Sequence, residues 1–98
     1  MPQGQNIPSY AETVARYAVN HQGQAPPGHV GNRPFVNSGR GGTQVLPKTT
    51  VDGNPITYRE YDVHPYTPGI NRGAERIVIG NGGCRWYTAD HYRTFTQF

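Results

Sequence analysis

The apolar positions of this chain follow two different periods, and the change of period divides it. Between Tyr10 and Val19, the residues Ala11, Val14, Ala15 and Ala18 recur at helical spacing, with Tyr10 and Tyr17 at the edge of the stripe. Ser9 and Glu12 stand at capping-box spacing ahead of that stripe, so a helix is expected over roughly residues 9–20. Beyond the next loop the period shortens to that of strands. Short strands are expected at Pro34-Phe35-Val36-Asn37, Ile56 to Val63, Arg76 to Gly80, Cys84 to Thr88 and Tyr92 to Phe98, spread over about residues 34–98.

Alternation sorts these strand residues by face. Tyr58, Glu60 and Asp62 point one way, while Arg59, Tyr61 and Val63 point the other. Arg76 shares a face with Val78, and Ile77 and Ile79 turn towards the core. If the two strands pair, Glu60 and Arg76 fall on the same solvent-facing side, although register is not legible in one sequence. Asn81-Gly82-Gly83 is a hairpin turn signal. One helix followed by an antiparallel meander is an α+β fold, with a helix packed on an antiparallel sheet in one domain over residues 1–98.

The rest of the chain reads as connections. Met1 to Pro8 is polar and expected to be loose. Asn20 to Arg33 is interrupted by Gly23, Pro26, Pro27, Gly28 and Gly31, which makes His21 and His29 solvated loop histidines. Ser38-Gly39-Arg40-Gly41-Gly42-Thr43 is a glycine-dense loop that can offer backbone N–H groups to an anion or a base edge, or serve only as a flexible connection. Val45-Leu46-Pro47 anchors the chain after it, and Val51-Asp52-Gly53-Asn54-Pro55 reads as a turn. His64 to Asn71 is a loop, and Asp90-His91 is a short turn.

Composition narrows the partners. The chain has 13 Gly and 9 Pro, so much of its backbone is loop, yet 11% aromatic and only 15% charged residues argue for a packed fold over disorder. Its net charge is +3, carried almost wholly by arginine, since Lys48 is the one lysine. Planar guanidinium forks match phosphate, so a polyanion such as nucleic acid is a fitting ligand. Cys84 is alone and can form no internal disulfide. One thiol and four scattered histidines lack zinc-finger spacing, so no metal and no cofactor are expected. No apolar run approaches transmembrane length and no signal peptide opens the chain, so no membrane association is expected.

Glu60, Arg72, Arg76 and His91 together supply a base, fixed positive charge and an acid, the set that metal-free phosphodiester cleavage needs. Singly each has an ordinary reading. Glu60 suits an ion pair on an outer face, His91 a turn histidine, and Arg72 with Arg76 a surface pair. Their order is more specific. The segments Tyr58-Arg59-Glu60-Tyr61-Asp62-Val63, Thr67-Pro68-Gly69, Arg72-Gly73-Ala74-Glu75-Arg76-Ile77 and Tyr87-Thr88-Ala89-Asp90-His91-Tyr92-Arg93-Thr94-Phe95-Thr96 closely resemble the small microbial ribonucleases typified by barnase and its streptomycete relatives.

That resemblance, which spans Phe35 to the C-terminus, implies an endoribonuclease acting on single-stranded RNA through a 2′,3′-cyclic phosphate. It implies Glu60 as general base, His91 as general acid, Arg72 and Arg76 on the scissile phosphate, and Tyr92 beside the histidine in substrate binding. Asn37 and Arg40 match part of the family's Asn-Arg-Glu guanine loop, but the longer segment here carries no carboxylate, which implies a relaxed guanine preference. No equivalent of barnase's extra active-site lysine can be placed, Lys48 being a poor positional match. The glycine-rich insert also resembles the ribonuclease domains of bacterial polymorphic toxins. That likeness implies secretion or delivery into a target cell, a monomer, and an acidic barstar-like inhibitor or cognate immunity protein. The alternative is a non-catalytic RNA-binding module that would hold single strands through its arginines and Tyr92, Tyr87 or Trp86.

Overall fold

Helix α1 spans Ser9–Asn20 and begins on the carbonyl of Pro8, which accepts from Ala11 N–H at 3.0 Å and Glu12 N–H at 3.2 Å. The structure, a computed structural model, describes residues 7–98. The expected capping box does not form. Pro8 occupies the N-cap with extended backbone and no side-chain cap bond, and Ser9 already lies inside the first turn, where its carbonyl accepts from Thr13 Oγ1 at 3.0 Å. The looseness expected of Met1 to Pro8 falls largely on residues outside those described. Ile7, the first described residue, packs against the core under α1.

Five strands form one antiparallel sheet in chain order: β1 (Arg33–Phe35), β2 (Tyr58–Asp62), β3 (Arg76–Gly80), β4 (Arg85–Thr88) and β5 (Thr96–Gln97). β3 and the turn after it follow the expected pattern, with Gly83 N–H closing on Gly80 O at 2.9 Å. β1 starts one residue early and tolerates Pro34 because it is an edge strand. β5 is much shorter than the expected Tyr92 to Phe98. Side chains elsewhere take the backbone donors of Tyr92, Thr94 and Phe95, which leaves only Thr96–Gln97 to pair with β4.

The two faces of the sheet carry separate cores. On one, Ala11, Val14, Ala15 and Ala18 of α1 meet Tyr61, Val63, Ile77 and Tyr87, all buried. Each large side chain so buried contributes about 1.5–3 kcal/mol against the entropy of ordering it. On the other, Leu46, Tyr58, Val78 and Phe95 form a second cluster flanked by Phe35, Ile56, Cys84, Trp86 and Tyr92. Glu60 and Arg76 do share this second face, but it is not the solvent-facing side that alternation suggested. The segment around Leu46 and the turn before Phe95 fold over it, so the charged residues sit at the margin of a second core. No helix among the described residues is long and apolar enough to cross a membrane.

Candidate active site

Register builds the site. The pairing of β2 with β3 sets Asp62 opposite Arg76 and Glu60 opposite Val78, while β1 sets Arg33 opposite Glu60. Residues paired in this way project to one face, so Arg33, Glu60, Asp62 and Arg76 converge on a single patch. Asp62, 1% exposed, is its hub. Its Oδ2 accepts from Arg72 Nη1 at 2.9 Å, and its Oδ1 lies 3.0 Å from Arg76 Nε, out of line for a hydrogen bond, and 3.6 Å from Arg33 Nη2. Arg76 is fixed further, its Nη1 donating to Gly73 O at 3.1 Å and Glu75 O at 2.7 Å. A buried charge needs such partners to be tolerated.

Glu60 is held from the other side by Tyr92, whose hydroxyl donates to Glu60 Oε1, while Arg33 Nη2 stands 3.6 Å from that same oxygen. Burial, and then this bond to a carboxylate, push the Tyr92 phenol well above its ordinary pKa, so it stays a donor. The Tyr92 ring stacks on Phe35 at 5.4 Å between centroids, which places it over the β1 edge.

The turn carrying His91 is strained and heavily tied. His91 and Tyr92 have φ values of 57° and 74°, a left-handed conformation costing non-glycine residues about 1–3 kcal/mol each. Thr88 Oγ1 accepts from Tyr92 N–H at 3.1 Å and donates to Asp90 Oδ1 at 2.8 Å. Asp90 in turn accepts from Thr94 N–H at 2.9 Å and Thr94 Oγ1 at 2.6 Å. Those bonds from Thr94, side chain first and then backbone, hold the Asp90 carboxyl down at about 2. His91 N–H donates to Ala74 O at 3.0 Å, which fastens the histidine turn to the loop between Arg72 and Arg76. The exposed imidazole meets Tyr92 edge-on at 4.7 Å.

Two supports lie behind these groups. Glu75, next to Arg76, accepts from Tyr10 of α1 at 2.7 Å, from Tyr87 of β4 and, through Oε1, contacts His64 Nε2 at 2.9 Å. Burial pushes the Glu75 carboxyl up, but the bonds from Tyr87, His64 and Tyr10 outweigh it and hold the group below its ordinary value. The second support is Gln44. Its N–H donates to Tyr92 O at 3.0 Å and its Oε1 accepts from Phe95 N–H at 2.8 Å, joining the glycine-rich loop to the histidine turn.

The glycine-rich loop closes on Asn37. Its Nδ2 donates to Leu46 O at 2.8 Å and its Oδ1 accepts from Leu46 N–H at 2.7 Å, so both ends of the amide help to shape the loop. Between these anchors Arg40–Gly42 makes a short 3-10 turn. Gly39, Gly41 and Gly42 all have positive φ there, which explains the density of glycine. Arg40 is exposed at the start of the turn, and its side chain makes no hydrogen bond or ion pair among the described residues.

The fold thus gathers Glu60, Arg72, Arg76 and Tyr92 directly and ties His91 to them through Ala74 and Tyr92, while Asn37 and Arg40 lie on the adjoining loop. Sequence reasoning gave no role to Asp62, Arg33, Thr88 or Gln44. The alternation of β2 signalled Asp62, which shares the face of Glu60; the other three required register or long-range contacts. Tyr87, one of the aromatics considered for stacking on single strands, is buried against α1 and presents no such surface. Among the described residues no group of three or more His, Cys, Asp or Glu side chains is placed to hold a metal ion. A cleft of about 370 Å³ lined by Val19, Gln22, Arg59 and Asn81 lies on the helix side of the sheet, away from Glu60, and holds no acid–base pair.

Comparison with known proteins bears on family and fold. Residues 3–98 match a family model described as ribonuclease. A guanyl-specific ribonuclease, St, from Saccharopolyspora erythraea is 54% identical over 39 residues, which are 39% of this chain. That match spans 37% of the relative's own length. The crystal structure of ribonuclease Sa2 with guanosine-2′-cyclophosphate is similar at a TM-score of 0.56 and 29% identity, covering 94% of this chain and 86% of that one.

Proposed function

This chain belongs to the ribonuclease family, and from that premise we propose that it is a metal-independent endoribonuclease that cleaves single-stranded RNA by 2′-OH transesterification. The observation that carries the reading is the convergence of Glu60, Arg72 and Arg76 on one face of the β2–β3 pair, with the His91 turn fastened to the arginine loop through Ala74.

In this mechanism Glu60 removes the proton of the ribose 2′-OH, and the freed oxygen attacks the adjacent phosphorus. Tyr92, kept protonated, orients the carboxylate through its hydroxyl. Arg72 and Arg76 face the charge that grows on the equatorial oxygens, and Asp62 holds both guanidinium groups in place before substrate arrives. His91, as imidazolium, gives its proton to the departing 5′ oxygen. The bond made is 2′ O–P and the bond broken is P–5′ O, so the products are a 2′,3′-cyclic phosphate and a 5′-hydroxyl. DNA, lacking the nucleophile, is not cut.

The base site is the loop from Asn37 to Leu46. Ribonuclease Sa2 was crystallised with a guanosine nucleotide, and backbone N–H groups of the glycine-rich turn suit the guanine O6. The segment has no carboxylate to accept from guanine N1–H and its amine, and the Gln44 oxygen is taken by Phe95 N–H. Guanine is therefore favoured only weakly over other bases. Asn37 serves this site by holding the loop, and Arg40 by presenting a cation at its tip. A toxin role, with secretion or delivery into a competing cell and an acidic inhibitor or immunity protein, is part of this reading. It is supported by the likeness to toxin domains and by a net charge of +3.

Incubating the chain in EDTA with GpU, ApU, CpU and UpU, and identifying the products by mass spectrometry, tests the reading. Cyclic phosphates from all four, with GpU modestly ahead, are expected. Binding of RNA without cleavage would contradict it.

A further inference from the structure

Asp62 leaves the two expected arginines short of charge. Arg72 and Arg76 are both paired to it, and Glu60 adds a second carboxylate on the same patch. Leaving aside the His91 imidazolium, whose charge goes with its proton to the departing 5′ oxygen, those four groups are electrically neutral at rest. Transfer of the 2′-OH proton to Glu60 frees one net positive charge, against a phosphorane that carries up to two negative ones. Arg76 is also short of open donors. Its side chain is 3% exposed, its Nη1 is shared between two carbonyls and its Nε faces Asp62.

Arg33 supplies what is missing. It stands on the edge strand β1 directly opposite Glu60, so its side chain reaches the patch from the open side of the sheet. Its Nη2 is 3.6 Å from both Glu60 Oε1 and Asp62 Oδ1, too far to form a hydrogen bond with either. Its Nε is buried without a partner, while the side chain as a whole is 40% exposed, close to the 36% of Arg72. The guanidinium is thus drawn in by charge but left with unspent donors. With Arg33 the patch holds three guanidinium groups against two carboxylates, and protonation of Glu60 raises its net charge to match the phosphorane.

We propose that Arg33 is a third phosphate-binding cation of this site, exchanging its loose contacts with Glu60 and Asp62 for a non-bridging oxygen of the scissile phosphate as charge grows there. The inference rests on the RNA-cleavage reading above. Guanidinium donors aimed at developing charge act mainly on turnover, so kcat should respond more than KM.

The test compares the parent with Arg33→Gln, Arg33→Lys and Glu60→Gln on one RNA oligonucleotide, with melting curves for each. Arg33→Gln should lower kcat about a hundred-fold with a small change in KM. The dependence of log(kcat/KM) on log salt should become shallower by about 0.7, the amount for one lost phosphate contact on a single strand. Arg33→Lys should keep the salt slope and regain about ten-fold in kcat, since it restores charge without the fork. A purely structural Arg33 would leave the salt slope untouched. Arg33→Gln turning over within two-fold of the parent, while Glu60→Gln is inactive, would overturn this inference and spare the cleavage reading. An inert parent would overturn the cleavage reading and this inference with it, and full activity in Glu60→Gln would overturn Glu60 as the base and with it the charge balance on which this inference stands. Should Arg33→Gln fail to fold, Arg33→Met, which keeps the stem without the charge, takes its place: turnover within two-fold of the parent overturns the proposal, and a loss at unchanged Tm with the shallower salt slope supports it.

Discussion

Asp62 Oδ1 lies 3.0 Å from Arg76 Nε, and neither side chain exposes more than 3% of its surface. The pair is the foundation of the site, because Asp62 also holds Arg72 at 2.9 Å and attracts Arg33 at 3.6 Å. Replacing Asp62 with Asn keeps the shape and removes the charge, leaving Arg76 buried without a counter-ion. Loss of one partner of a buried pair costs about 3–5 kcal/mol. Urea unfolding of Asp62→Asn should show that loss, as a lower midpoint at unchanged slope.

Acid stability should report the histidine turn. The Asp90 carboxyl sits at about 2 in the folded chain and near 4 when unfolded. A depressed value stabilises the fold above pH ~4, and the contribution is lost as pH falls from about 4 to about 2. Glu75, also held below its ordinary value, acts with the same sign. Melting temperature should therefore fall through this window, and less steeply in Asp90→Asn, which lacks the titrating group. An identical slope in the two proteins would contradict the hydrogen-bond geometry around Thr94.

Gln44→Ala should uncouple the base loop from the chemistry. It removes the acceptor of Phe95 N–H and leaves that half-buried donor unpaired, a loss of about 1–3 kcal/mol. The Tyr92 carbonyl keeps its backbone bond. Activity should fall, and the modest lead of GpU over the other dinucleotides should shrink with it. An unchanged ratio of GpU to ApU cleavage would place base choice elsewhere than in this loop.

Local pattern carried the elements whose determinants are local. The unbroken β-branched run Ile77-Val78-Ile79 and the Asn81-Gly82-Gly83 turn specify β3 and its hairpin with no help from distant residues. The stripe of Ala11, Val14, Ala15 and Ala18 does the same for α1. The misses share a cause. The segment from Tyr92 to Phe95 has strand-forming residues, but Thr88, Asp90 and Gln44 take its donors and bend it into a turn. Ser9 and Glu12 have capping-box spacing, yet the Pro8 carbonyl starts the helix and no side-chain cap forms. Arg33 reads as loop in the sequence because its meaning lies in facing Glu60, which is a matter of register. Asp62 stood visibly on the face of Glu60, but nothing local tells that three arginines converge on it.

The central claim is that Glu60 and His91 act as base and acid across the phosphate held by the arginines. Multiple-turnover cleavage of a fluorescent RNA oligonucleotide in EDTA, by the parent, Glu60→Gln and His91→Gln, tests it most directly. Each substitution replaces a proton-transfer group by a near-isostere, so both variants should melt within a few degrees of the parent. Loss of a general acid or base should cost about 10²–10⁴-fold in kcat, and the parent should leave 2′,3′-cyclic phosphate ends. Folded variants that cleave as fast as the parent would contradict the account.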